Sequence, residues 1–175
     1  MEIYQTRPTD PREPQEIRCY DLLEQLQIPF ERVDHQATDS IEECDWVSKV
    51  LGIEICKNLF LCNRQKTEFY LVMMPGKKKF ETRVLSKALE VARLSFAPQE
   101  LLPELLGLHP GSVSILGLMN DKENHVRLIM DRDVITKAYI GCHPCKNTSS
   151  LKIATADVMK KLLPAIHHEP TIVDL

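Results

Sequence analysis

The chain has 175 residues, 43% of them hydrophobic, which supplies one self-sufficient core at roughly 150 residues per domain. Twenty-two Lys and Arg against 25 Asp and Glu leave a net charge of −3, and a pI of about 6.1 excludes a generally basic nucleic-acid coat protein. Any polyanion must therefore meet a local basic patch. With 27% charged residues, 6 Gly and no low-complexity tract, disordered and collagenous chains are excluded as well.

Residues 1–13 read as a tail ahead of a single domain over 14–175. The tail mixes Asp, Glu and Arg with Pro8 and Pro11 and has no apolar signal-peptide core, which implies a cytoplasmic protein. Ile17, Tyr20, Leu22, Leu23 and Leu26 then recur at helical spacing until Ile28-Pro29 closes the run, so a first helix is expected over about 14–27. Phe30–His35 alternates like a short strand. Ser40-Ile41-Glu42-Glu43 reads as a capping box for a second helix carrying Cys44, Val47, Val50 and Leu51, with Gly52 as its stop. The segments Ile55–Cys62 and Glu68–Met74 are strand-like, and the polar link at residues 63–66 makes them a hairpin. Phe69–Met74 is also the longest apolar run, six residues against the roughly 18 that span a bilayer, so no membrane segment is expected.

Pro75-Gly76 signals a turn, and Thr82 is placed to cap a helix with Val84, Leu85, Ala88 and Leu89 on one face. A strand near Arg93–Phe96 and a short helix over Pro98–Leu106 follow. Gly107–Gly111 is a loop, and Ser112–Met119, Val126–Met130 and Val134–Ile140 read as three further strands. Leu151–Ile153 is strand-like, and Thr155 caps a last helix running to Ile166 with a kink at Pro164. Helices and strands alternate irregularly with no internal repeat. The expected architecture is one mixed α/β domain: a curved, barrel-like mixed sheet flanked by helices.

Most catalytic signatures are absent: no G-x-G-x-x-G, no G-x-x-x-x-G-K-[ST], no H-E-x-x-H and no G-x-S-x-G occurs. Cys142-His143-Pro144-Cys145 has the spacing of a redox dithiol, but the following Lys146–Ser150 is loop-like, so no helix dipole lowers a thiol pKa there. Cys19, Cys44, Cys56 and Cys62 supply no second C-x-x-C for zinc, and free thiols are expected rather than a disulfide framework. Adjacent His167 and His168 would diverge by about 100° on a helix and serve its C-terminus better than a metal. No metal or cofactor is expected.

Three stretches remain. Cys56-Lys57-Asn58-Leu59-Phe60-Leu61 opens an apolar strand with a lysine, although a snorkelling edge lysine would look the same. Gly111-Ser112-Val113-Ser114-Ile115 leads into Leu118-Met119-Asn120-Asp121, and Gly141-Cys142-His143-Pro144 leads into Asn147-Thr148. The glycines permit close backbone approach to a ligand or simply a turn.

In this order and spacing the three stretches resemble the YbaK/ProX superfamily of prolyl-tRNA editing domains, most of all the freestanding Ala-tRNA(Pro) deacylases, over about residues 17–166. The resemblance implies hydrolysis of the ester joining a wrong amino acid to tRNA(Pro), a substrate met at the acceptor end, and prolyl-tRNA synthetase as a partner. It places the essential lysine on Lys57 with Asn58 beside it, a substrate loop on Gly111, Ser112, Val113, Ser114 and Ile115, and a third loop on Gly141, His143, Pro144 and Asn147. Several relatives carry a G-x-x-x-P loop; here Ile115 stands at the proline position, and the freestanding alanine-specific members also lack that proline.

On that reading, Lys57 holds the terminal phosphate or ribose, backbone N–H groups of residues 111–114 stabilise the oxyanion, and Asn58 orients the substrate. The 141–144 loop with His143 holds the α-amino group, and Val113 or Ile115 walls the pocket. Lys77, Lys78 and Lys79 form a basic cluster for the acceptor stem, or a solvated charge run. Cys-tRNA(Pro) hydrolysis, and non-catalytic binding of an amino acid or aminoacyl-tRNA, stay open as alternatives.

Overall fold

The computed structural model describes residues 2–37 and 41–175, with the side chains of 41–43 left aside. The cap expected from Ser40 and Glu43 lies outside what is described. Helix α1 (Pro14–Gln25) starts with proline at its first turn and buries Cys19, Tyr20 and Leu23. Strand β2 (Phe30–Asp34) and helix α2 (Ile41–Leu51) follow as the sequence suggests, and Gly52 ends α2 at φ 66°, a conformation favouring glycine.

The hairpin forms between β3 (Cys56–Cys62) and β4 (Phe69–Pro75), paired antiparallel with Lys57 opposite Met74 and Asn58 opposite Met73. Its turn is closed by Asn63, whose Oδ1 accepts from the N–H groups of Thr67 (2.8 Å) and Glu68 (3.1 Å). Strand β4 is apolar throughout because both its faces are covered: Leu71 and Met73 enter the main core, while Tyr70 and Val72 enter a second cluster with Leu85, Leu94 and Ile129. After α3 (Thr82–Leu89), β5 (Ser95–Phe96), a 3₁₀ turn (Gln99–Leu101), α4 (Leu102–Leu106) and a 3₁₀ helix (Ile115–Asn120), strand β6 (Val126–Asp131) pairs parallel to β4. Helix α5 (Arg132–Ile135), β7 (Tyr139–Cys142) and β8 (Ser149–Ala154) complete the approach to the last helix.

That last helix runs from α6 (Thr155–Asp157) through a π turn (Val158–Leu162) into α7 (Leu163–Ala165). Pro164 has no N–H and its ring crowds the carbonyl four residues back; the wider turn, with Leu163 N–H bonded to the Val158 carbonyl, takes the place of the expected kink.

The single barrel-like sheet resolves into two open sheets, β1 (Ile3–Tyr4)–β2–β8–β7 and β5–β3–β4–β6–β9 (Thr171–Val173). Strand β3 lies beside β7, and a cavity occupies part of that junction in place of a closing ladder. Strand β1 places part of the tail in the first sheet. Arg12 fastens the rest, bridging Glu16 (2.9 Å) and Asp34 (3.0 Å) and donating to Ser149 Oγ (3.2 Å). Burial works to raise the Asp34 carboxyl, but Arg12, Arg32 and the Ser149 hydroxyl outweigh it and hold it down to about 2.

Two expected strands are corrected. Ser112–Met119 turns into the 3₁₀ helix because Ser114 Oγ caps it, accepting from Leu116 N–H (3.2 Å), and residues 115–118 are buried on all sides, so their pattern carried no period. Val134–Ile140 splits because Asp131 caps α5 through Asp133 N–H (3.1 Å). Thr82 and Thr155 are first helical residues, not caps: the Thr82 carbonyl takes the Ser86 hydroxyl (2.8 Å), and Thr155 Oγ1 donates to the Lys137 carbonyl (2.6 Å). Strands β1 and β9 are two and three residues long, too short to show an alternation in sequence.

Candidate functional site

Strand alternation divides the Lys57-Asn58 pair. Asn58 shares a face with Phe60 and Cys62, which enter the main core, whereas Lys57 shares the opposite face with Leu59 and Leu61, which border the second cluster. Lys57 Nζ donates to the backbone carbonyl of Lys78. Lys78 is itself held, its ammonium lying 2.8 Å from buried Asp131 and 2.7 Å from Asp133. Of the three clustered lysines, Lys77 and Lys79 project into solvent while Lys78 anchors the segment that positions Lys57.

On the Asn58 side, a cavity of about 30 Å³ lies between α2, β3 and β7. Its apolar walls are Val47, Leu51, Ile53 and Ile55, and its polar groups are Asn58, His143 and Ser150. Asn58 Oδ1 is buried without a hydrogen-bond partner among the described residues. A buried orphan acceptor costs roughly 1–3 kcal/mol, so Asn58→Leu is expected to keep or raise the thermal midpoint while lowering activity toward any ligand whose donor the amide receives. Parallel melting and turnover measurements check this.

His143 lies at the cavity edge with Nδ1 2.8 Å from the Ser149 carbonyl. A carbonyl only accepts, so Nδ1 carries the proton and Nε2 is left as the acceptor. Burial disfavours the imidazolium and moves the group below 6.5, against the opposing pull of the Ser149 carbonyl. An unfolded chain then takes up the proton first on acidification. The stability due to neutral His143 is therefore full above about pH 6.5, declines as pH falls below it, and levels off below the folded-state value. Thermal midpoints of wild type and His143→Gln between pH 5 and 8 are expected to show that component only in the wild type. Behind His143, His35 Nε2 sits 2.8 Å from Ser150 Oγ, with the two imidazoles 6.2 Å apart.

The 111–115 loop supports this site from outside the cavity. Gly111 adopts φ 85°, which an L side chain rarely occupies, and its Cα faces open space apart from Asn147, so its role is the turn. Ser112 is buried and its N–H is given to the His109 carbonyl (3.1 Å). Ser114 Oγ donates to the His143 carbonyl (2.6 Å) and ties the two loops together. Ile115 is wholly buried in the main core and Val113 packs against it; neither lines this cavity, whose apolar walls come from α2 and the segment after it. Gly141 serves close approach: a Cβ there would lie 2.5 Å from Ile53 Cδ1. Pro144 is buried beside it, and Asn147 lies near Gly111.

The C-x-x-C pair is split by the fold. Cys142 lines the cavity, whereas Cys145, at φ 59°, turns to Cys19 with 3.4 Å between the sulfurs. Burial pushes the Cys142 thiol well up and Cys56 to about 12, and the Cys145 contact with burial raises Cys19. These groups are thiols at neutral pH and poor nucleophiles. Cys142→Ser/Cys145→Ser is expected to retain at least part of the activity, and a strict need for a disulfide would contradict that. Among the described residues no group of three or more His, Cys, Asp or Glu is placed to hold a metal.

A small cavity at a sheet junction, the unpartnered Asn58 side-chain oxygen in its lining and a lysine on the reverse of the same strand make up the candidate site. The family model described as an aminoacyl-tRNA editing domain matches residues 35–161, which spans all of these elements. The chain belongs to the aminoacyl-tRNA editing domain family. This editing domain is 28% identical over 138 residues to the prolyl-tRNA editing protein ProX of Acetoanaerobium sticklandii, covering 79% of this chain and 84% of that one. It is 30% identical over 155 residues to prolyl-tRNA synthetase associated domain-containing protein 1 of Danio rerio, covering 87% and 83%. In fold it is similar to a crystal structure named as a candidate trans-editing enzyme for prolyl tRNA synthetase, with a TM-score of 0.69, 17% identity and coverage of 94% and 98%.

The cavity walls that α2 and the segment after it supply were not legible in the sequence. Val47, Leu51, Ile53 and Ile55 look like ordinary core residues, and only the proximity of α2 to the Gly141 strand makes them a pocket. Among the described residues no helix is long and apolar enough to cross a membrane.

Proposed function

We propose that this editing domain is a trans-acting deacylase that hydrolyses the ester of mischarged Ala-tRNA(Pro), acting in the cytoplasm beside prolyl-tRNA synthetase. The observation that supports the reading is the small cavity, about 30 Å³ and walled by Val47, Leu51 and Ile53, which favours a small apolar side chain over a larger one. An aminoacyl ester is already activated, so positioning, a polarised carbonyl and a water suffice. The alanyl methyl enters between Val47, Leu51 and Ile53, and its ammonium supplies the donor that Asn58 Oδ1 lacks.

Lys57, with one of its three donors given to Lys78, has two left for the terminal phosphate or ribose of the acceptor end. The 111–115 loop, whose Ser112 and Ser114 groups are committed, acts in this scheme by holding the His143 loop in place. Lys77 and Lys79 face the tRNA. Incubating the purified protein with tRNA(Pro) bearing alanine, cysteine or proline and following ester loss tests the reading. No hydrolysis of any of them would refute it in favour of a binding module, and cysteine outpacing alanine would reassign the substrate.

A further inference from the structure

A second concavity lies on the Lys57 face of β3, and none of the site chemistry above uses its aromatic floor. Lys57 and Leu59 of β3, Phe80, Arg83 of α3 and Phe96 of β5 line it, with a volume of about 620 Å³ and a wide opening. Phe96 is 61% exposed, more than any other large hydrophobic side chain among the described residues, and meets Phe80 edge-on with ring centroids 6.1 Å apart. An exposed ring held by a second ring loses little entropy when it takes a ligand, and an edge-on pair leaves a face free for stacking.

The charge at this groove opposes that of the molecule. Lys57, Lys79 and Arg83 face Glu81 alone, three positive groups to one negative in a chain of net charge −3. The carboxylate does not tie them down: Glu81 lies 3.6 Å from Lys79 and 4.0 Å from Arg83, long contacts between exposed groups that a phosphate can replace. Cations beside an exposed aromatic ring are the combination that binds single-stranded nucleic acid, the rings taking bases and the cations their phosphates. A duplex would leave the ring without a partner, because paired bases are already stacked.

We propose that the groove formed by Phe80, Phe96, Lys79 and Arg83 binds the unpaired 3′-terminal nucleotides of an RNA, a base stacking on Phe96 and phosphates meeting Arg83 and Lys79. Lys57 stands at the junction. Its neighbour Asn58 lines the cavity on the other face of the strand, so the groove and the cavity share strand β3. This partner assignment rests on the deacylase reading for its meaning, but its binding measurement does not.

The test uses a fluorescein-labelled single-stranded RNA ending in CCA, the same RNA annealed into a blunt duplex, and tRNA(Pro), with affinities read by anisotropy at fixed low salt. Phe96→Ala is expected to weaken single-strand binding about tenfold and Phe96→Tyr to restore it, whereas Phe96→Leu, apolar but without a π face, stays weak. Arg83→Ala is expected to lower affinity and flatten its salt dependence. In deacylation assays Phe96→Ala then raises KM more than it lowers kcat. Equal affinity of wild type and Phe96→Ala for the single strand, or preference for the duplex, overturns the proposal. So does a dimer in sedimentation that Phe96→Ala dissolves, since the ring would then serve a second copy. Absence of ester hydrolysis with Phe96-dependent RNA binding intact would remove the deacylase reading and leave the groove standing.

Discussion

Lys57→Ala is expected to lower ester hydrolysis by at least about a hundredfold while leaving the thermal midpoint close to that of the wild type. The side chain is only partly buried and makes one bond, to the Lys78 carbonyl, so packing loses little when it is truncated. Lys78 stays in place because Asp131 and Asp133 hold its ammonium independently of Lys57. What disappears is the ammonium that the proposed function assigns to the RNA terminus, a charge for which the cavity's polar groups Asn58, His143 and Ser150 offer no like replacement. Near-normal turnover in a folded Lys57→Ala protein would remove Lys57 from the site. A loss of activity matched by a collapse in stability would show its role to be structural.

The second large effect concerns which ester is cleaved. Alanyl-tRNA(Pro) is expected to be deacylated at least about a hundredfold faster than prolyl-tRNA(Pro), with the cysteinyl ester between them. A synthetase site built for proline excludes a smaller amino acid poorly, because each missing methylene is worth only about 1–3 kcal/mol. A second, smaller sieve corrects this by steric exclusion, and forcing a ring into a packed cavity is costly. The proposed function assigns that sieve to the cavity lined by Val47, Leu51, Ile53 and Gly141. Ile53 is the wall to trim: it is only half-buried, and its Cδ1 already occupies the space opposite Gly141. Ile53→Ala is expected to narrow the alanine-to-proline ratio about tenfold with a modest stability loss, whereas Leu51→Ala, nearly fully buried, costs about 2–5 kcal/mol. Initial rates on the three esters of one tRNA(Pro) check both statements, and fastest loss of proline would end the sieve model.

Local pattern carried much of the fold. The 3.6-residue period of Ile17–Leu26, the Pro29 and Gly52 stops, and the β3–β4 hairpin all lie within about a dozen residues of their own causes, and these elements stand where the sequence placed them. The run at 112–119 did not read correctly because it is buried on every side, and burial erases the periodicity that separates helix from strand. The order of the Lys57, Gly111 and His143 motifs was also visible in the sequence, and with it the family.

The sequence alone determined residue chemistry: a lysine next to an amide, glycines at two turns, a histidine ahead of a proline, and no nucleophile or metal signature. Tertiary structure decided which of those groups share a space. Strand alternation sent Lys57 and Asn58 to opposite faces, the Asp131–Lys78 pair fixed the carbonyl that holds Lys57, and α2 rather than the 111–115 loop closed the cavity. The Cys142–Cys145 spacing shows the same division, since the αL turn at Cys145 gave that thiol to Cys19, 126 positions away. Sequence spacing constrains neighbours along one element, but a pocket is made by elements that meet only after the chain has closed on its core, and that meeting is set by packing between distant segments.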